Sequence, residues 1–168
     1  VRADLLQDPT LAQGVAHTPA APLLAPVVSP PLAFEDAIGV DLILEGFLAH
    51  HAHPREIALT ATADVVLAGD YCYAAGLVRV ARANDLFVID VLAQLVALSA
   101  GVVARGHRAQ LPTIWLGALA AITHHDRALA GDQFRDAVHH AVRFDDIAGF
   151  TALAITLPDP PNLDEVFA

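Results

Sequence analysis

The placement of proline limits where this chain can be helical. Of its eleven prolines, five fall within residues 17–32, "HTPAAPLLAPVVSPPL", and three more lie in "LPDPPNLDEVFA" from Leu157 onward. A proline inside a helix removes a backbone donor and drives its ring into the carbonyl one turn back. Residues 1–33 are therefore predicted to be a Pro/Ala-rich arm, extended over residues 17–32, that either wraps the rest of the chain or stays mobile. Residues 157–168 are expected to form a Pro-rich tail. The intervening residues 34–156 are expected to form one helical domain.

Between the two ends nothing alternates with the period of a strand, and no internal repeat is visible. The chain is 55% hydrophobic but only 6% aromatic, with alanine, leucine and valine dominant, which is helix-rich usage. The expectation is an all-α helical bundle of five helices, near residues 34–51, 57–83, 85–105, 111–123 and 131–155. His53-Pro54 ends the first, and a kink is expected near Gly69 in the second. Asp85 is placed as the N-cap of the third and Pro112 in the first turn of the fourth, while the fifth is started from Gly131-Asp132.

The longest apolar run is "LFVIDVLAQLVALSAGVVA", residues 86–104. Asp90, Gln94 and Ser99 interrupt it, and no aromatic belt flanks it, so it reads as a buried helix rather than a membrane span. A formal net charge of −10 leaves nothing to replace counterions on a phosphate backbone, which argues against a nucleic-acid partner. All nine basic residues are arginine, so roles that require a lysine amine are excluded. The single cysteine, Cys72, excludes an intramolecular disulfide and a cysteine-rich zinc site. A reducing, cytoplasmic setting fits that usage, and no basic-then-apolar leader opens the sequence.

Three segments occur in an order that resembles the trans-isoprenyl (polyprenyl) diphosphate synthases. Leu67-Ala68-Gly69-Asp70, within "TATADVVLAGDYCYAAGLVRVA", is similar to the family's L-x-G-D helix. Upstream, "DLILEGFLAHHA" keeps the register of the helix that leads into the first DDxxD, with Asp41 at its acidic start and His50 at its last histidine. Downstream, "AVRFDDIAGF" is similar to the second aspartate motif, with Asp145 and Asp146 as its first two acids. The resemblance covers about residues 38–155 and implies a shortened isoprenoid-synthase-like bundle.

It also implies a chemistry that this chain has partly lost. Family members ionise an allylic diphosphate whose leaving group is held by Mg²⁺, an ion that takes hard oxygen ligands in near-octahedral geometry. Here His51 and Ala52 stand at the first two aspartates of the first motif, and Gly149 stands for the third acid of the second. The family's paired arginines are reduced to Arg55, and the stretch between L-x-G-D and the second motif is shorter by a pair of helices. What the resemblance leaves is Asp70, Asp145, Asp146 and Arg55 as diphosphate-binding positions, with Asp145 and Asp146 as the magnesium ligands. Some family enzymes pair a small, motif-poor chain with a catalytic one, and this chain has those marks. It is thus expected to be a non-catalytic subunit that joins a second copy or a catalytic prenyl synthase through its central apolar helices. Each residue also has an ordinary structural role open to it. Asp145-Asp146 suits a solvated helix face, Asp70 a hydrogen-bonding acid at a kink, and the histidines at 50–53 a solvated helix end. His139 and His140 fit surface pairs with Asp136 or Arg143. Two other functions remain open: a stand-alone binder of prenyl diphosphates, and an HD-type metal phosphohydrolase using His53, His125-Asp126 and Asp145.

Overall fold

The computed structural model describes all 168 residues and is all-α. Two four-residue helices, α1 (Arg2–Leu5) and α2 (Pro9–Ala12), precede the long α3 (Phe34–His51), α4 (Thr62–Arg82) and α5 (Leu86–Ala104). Then follow α6 (Leu111–Thr123), α7 (Arg127–Phe144), α8 (Ala148–Ala154) and a last short turn, α9 (Asp164–Phe167). The one extended pairing is an isolated antiparallel bridge between Val15 and Ile57. The chain divides into two compact units, residues 1–84 and 85–168.

The first unit is organised by α3, whose residues Ala37 to Ala49 are all buried. A helix this apolar on every face must be surrounded. On one side α4 packs antiparallel against it along a seam of four glycines. A Cβ on Gly39 would sit 2.6 Å from the Gly76 carbonyl oxygen, and one on Gly76 would sit 2.6 Å from that of Gly39. One α-turn pair further along, a Cβ on Gly46 would lie 2.9 Å from the Gly69 oxygen. Both pairs are spaced by seven residues on their helices, two turns, so they recur on one face. Gly69 therefore marks no kink: α4 runs unbroken from Thr62 to Arg82, and the glycine is there for close approach.

The arm covers other faces of α3. Leu24, Ala25 and Val28 are completely buried and Leu32 nearly so, so the arm wraps the unit rather than hanging free. It is not wholly extended, because residues 2–5 and 9–12 are helical, the latter capped by the Asp8 carboxylate, which accepts the amides of Thr10 and Leu11. The α1 turn is tied to α4 by Arg79, which donates to Asp4, and by the Tyr71 hydroxyl, which donates to the Asp4 carbonyl at 3.0 Å. The second predicted helix begins at Thr62 rather than 57, because Ile57 is spent on the bridge to Val15.

In the second unit α6 is the hub, with Ile114, Trp115, Leu119 and Ile122 completely buried. Phe134 of α7 and Phe150 of α8 meet edge to face at 5.7 Å between ring centres, a favoured aromatic geometry. Leu157, Leu163 and Phe167 of the tail are buried too, so the Pro-rich end is packed. Asp85 caps α5 by accepting the Val88 amide, and Pro112 lies in the first turn of α6, both as expected. The fifth predicted helix is corrected. Asp126 caps its start, five residues before Gly131, and Asp145 in the left-handed region (φ 57°) breaks it into α7 and α8.

Helix α5 is long and apolar enough to cross a membrane, with a mean hydropathy of 2.3, and 39% of that window is buried. Asp90 and Gln94 interrupt the run and bond to each other, Gln94 Nε2 donating to Asp90 Oδ2 at 2.8 Å. One such helix makes no clear membrane span.

Candidate functional site

The polar residues of the first unit gather on and beside α3. Asp41 and Glu45 stand one turn apart on one face of the helix, and both are buried. Their positions on α3 aim them at the arm and at the segment after the helix. Asp41 Oδ1 accepts the amide of Leu23 at 2.8 Å and of Leu24 at 3.1 Å, and Oδ2 accepts that of Ala25 at 2.8 Å. Three successive N–H groups converging on a carboxylate form an anion nest, here occupied by the protein's own side chain. Glu45 Oε1 accepts Glu56 N at 2.5 Å and Ile57 N at 3.2 Å. Glu56 in turn accepts the Ala20 amide at 2.8 Å. Arg55 donates to the Ala21 carbonyl at 2.7 Å and lies 3.8 Å from Asp41. A cavity of about 220 Å³ opens among these groups, with Arg2 and Arg55 facing Asp41, Glu45 and Glu56.

Burial pushes the Glu45 carboxyl above its ordinary value of 4.5, against the opposing pull of the amides of Glu56, Arg55 and Ile57 and the Arg55 charge. A carboxyl that holds its proton better when folded favours the fold below its unfolded value. That contribution is lost as pH rises through the folded value. Glu45→Gln keeps an oxygen for both amides and carries no charge to desolvate. It is expected to melt at or above the parent temperature at pH 7.5, and the gap should close as pH falls below 4.5, read by paired thermal melts.

At the far end of α3, His50 Nε2 lies 3.1 Å from Asp70 Oδ1, and the imidazole stacks on Tyr73 with ring centres 5.5 Å apart. A Cβ on Gly69 would come within 3.0 Å of that imidazole. The G-D of L-x-G-D thus has a local purpose: glycine lets His50 cross α4, and the aspartate receives it. Burial first, then Asp70, raises the Tyr73 phenol well above its usual range. Burial also pushes the Cys72 thiol up to about 12, so it is inert as a nucleophile.

In the second unit the two candidate magnesium ligands turn to different partners. Asp145 ends α7, its Oδ2 lying 2.8 Å from His107 Nδ1 and its Oδ1 3.6 Å from Arg105 Nε. Asp146 Oδ1 accepts the amide of Ala148, the first residue of α8, at 2.9 Å. Gly149, in the third position, lies on α8, where a Cβ would meet that of Ala137 at 2.8 Å. A helix break replaces the single helical face that a DDxxD needs, and nowhere do three His, Cys, Asp or Glu side chains gather to hold a metal ion. The donor set does not fit magnesium. Of the HD residues, Asp126 is occupied as the α7 cap, and its own amide donates to His124 at 3.0 Å. His53 is exposed in the turn after α3. His139 and His140 pack around Phe144 rather than pairing with Asp136 or Arg143.

The site residues brought together are His50 with Asp70, and Arg55 with Asp41. Glu45, Glu56 and the glycine seam were not singled out in the sequence. The signal for the seam was there, as glycines seven apart in two successive helices. No family model, curated protein or solved structure matches this chain.

Proposed function

We propose that this chain is a non-catalytic, isoprenyl diphosphate synthase-like subunit that associates with a second copy or with a catalytic prenyltransferase chain. The observation that carries this reading is where its carboxylates go. Asp41, Glu45 and Asp146 are spent on backbone amides, and Asp145 on His107 and Arg105. None is left in a pair that could clamp a metal-bound diphosphate. Meanwhile α4 turns an apolar stripe to solvent: Leu67, Leu77 and Val78 are 58%, 46% and 57% exposed, with Val66 beside them. Leu86, at the head of α5, is 77% exposed. Apolar side chains grouped on one helical face mark an association surface more often than isolated ones do.

Sedimentation of the purified chain at micromolar concentration should give a dimer mass, and Leu67→Asp with Val78→Asp should return it to monomer. Incubation with an allylic diphosphate, isopentenyl diphosphate and Mg²⁺ should give no elongated product. Elongation by the chain alone would overturn the reading. So would a monomer that also fails to bind a synthase bearing both aspartate motifs.

A further inference from the structure

The second unit carries a groove that neither the aspartate pair nor the α4 stripe explains. It runs between α5 and α7, encloses about 320 Å³, and is floored by Ala97, Leu98, Gly101, Val138 and Val142. The α5 residues fall at positions 97, 98 and 101, with Gln94 at one end and Arg105 at the other, so the trough follows a single helical face. Val142 is 63% exposed, which leaves one apolar wall open to solvent. The volume lies at the small end of what a ligand pocket requires.

The end at Arg105 is what gives the groove a polarity. Its Nη1 lies 3.4 Å from where a Cβ on Gly101 would be, so the guanidinium folds back over the groove floor. Its one acidic neighbour, Asp145, approaches Nε at 3.6 Å, outside hydrogen-bond distance, and that carboxylate already sits 2.8 Å from His107. Arg105 lines the groove, and neither of its Nη atoms has a carboxylate partner. A planar fork of this kind suits a carboxylate bidentately. Arg105 is the one charged side chain lining the trough, so it sets the preferred head-group sign against the net charge of −10.

From these features we infer that the α5–α7 groove binds a medium-chain anionic amphiphile, its carboxylate on Arg105 and its alkyl chain over Leu98, Val138 and Val142. This is independent of the subunit reading, which rests on α4 and the spent carboxylates. The probe is decanoate, titrated calorimetrically below its micelle concentration, with decyltrimethylammonium and decanol as head-group controls. Decanoate should bind one to one and at least tenfold more tightly than the ammonium. Shortening it to octanoate should weaken binding on the order of fifteenfold, from two buried methylenes. Arg105→Gln should abolish the preference for the anion while leaving decanol binding unchanged. Asp145→Asn, which keeps a residue tolerant of the left-handed conformation, should tighten decanoate several-fold. Ala97→Phe should fill the trough and remove binding of all three, with the helical circular dichroism retained.

Equal affinity for the two head-group charges, or unchanged binding in Ala97→Phe, overturns the inference. So does loss of self-association in Ala97→Phe with no decanoate binding in the parent, which would make the groove a contact between copies. The subunit reading fails separately, through the α4 substitutions and the elongation assay.

Discussion

Gly76→Leu will prevent α3 and α4 from closing into their hairpin. A Cβ alone at this position would sit 2.6 Å from the Gly39 carbonyl oxygen, 2.8 Å from Ile43 Cγ1 and 3.1 Å from the Ile43 amide nitrogen. Two of those three neighbours are backbone, so no rotamer change relieves the overlap. Overpacking a tight core costs about 1–3 kcal/mol for small additions, and a full leucine at a helix crossing exceeds that range. Gly76→Ala is the sharper experiment, because alanine gains about 1 kcal/mol of helix propensity over glycine. The overlap should win, giving a net loss of about 1–2 kcal/mol in urea unfolding with the slope unchanged. Gly101→Ala on α5 is the control. There a Cβ meets only the flexible Arg105 guanidinium, at 3.4 Å, and stability should hold or rise. Because Gly39 and Gly76 oppose each other across one gap, their alanine substitutions should combine non-additively.

Asp41→Ala will detach the arm. The substitution removes the acceptor of the Leu23, Leu24 and Ala25 amides, and Leu24 and Ala25 are completely buried. Each buried donor left without a partner costs about 1–3 kcal/mol, and Arg55 loses its carboxylate neighbour as well. The total expected is about 3–5 kcal/mol, the range for breaking a buried charged network. Hydrogen exchange should show it first at the amides of residues 23–25, and limited proteolysis should open cuts within residues 17–32. Asp41→Asn should fall between parent and alanine, since one oxygen still accepts but the amide nitrogen faces donors. Exchange at Leu24 and Ala25 no faster in Asp41→Ala than in the parent would show that the arm is held by its apolar contacts alone.

The all-α architecture was legible in the sequence because proline and hydrophobic period are local signals. The boundaries of α3, α5 and α6 fell within a residue of their expected places for the same reason. Two features of the chain lie outside what local pattern encodes. The pair Asp145-Asp146 was read for its charge, yet aspartate is equally a capping residue and one of the few that tolerate a positive φ. Here Asp145 takes the left-handed position that ends α7 and Asp146 accepts the first amide of α8, which no count of carboxylates reveals. The start of α4 was placed too early because Ile57 pairs with Val15, forty-two residues away, and a long-range bridge leaves no mark in the local pattern. Asp41 and Glu45 show the same limit from the other side. Their i, i+4 spacing is the spacing of a metal clamp, and the arm that claims them is invisible until the chain is folded.

The four-glycine seam has a mechanical consequence. Gly39 opposes Gly76 and Gly46 opposes Gly69, so two notches on one rod meet two on the other. A slide by one helical turn, about 5.4 Å, would set side chains against backbone oxygens at both notches at once. The hairpin therefore has one register and no neighbouring rest position. These two rods move together as a single stiff lever.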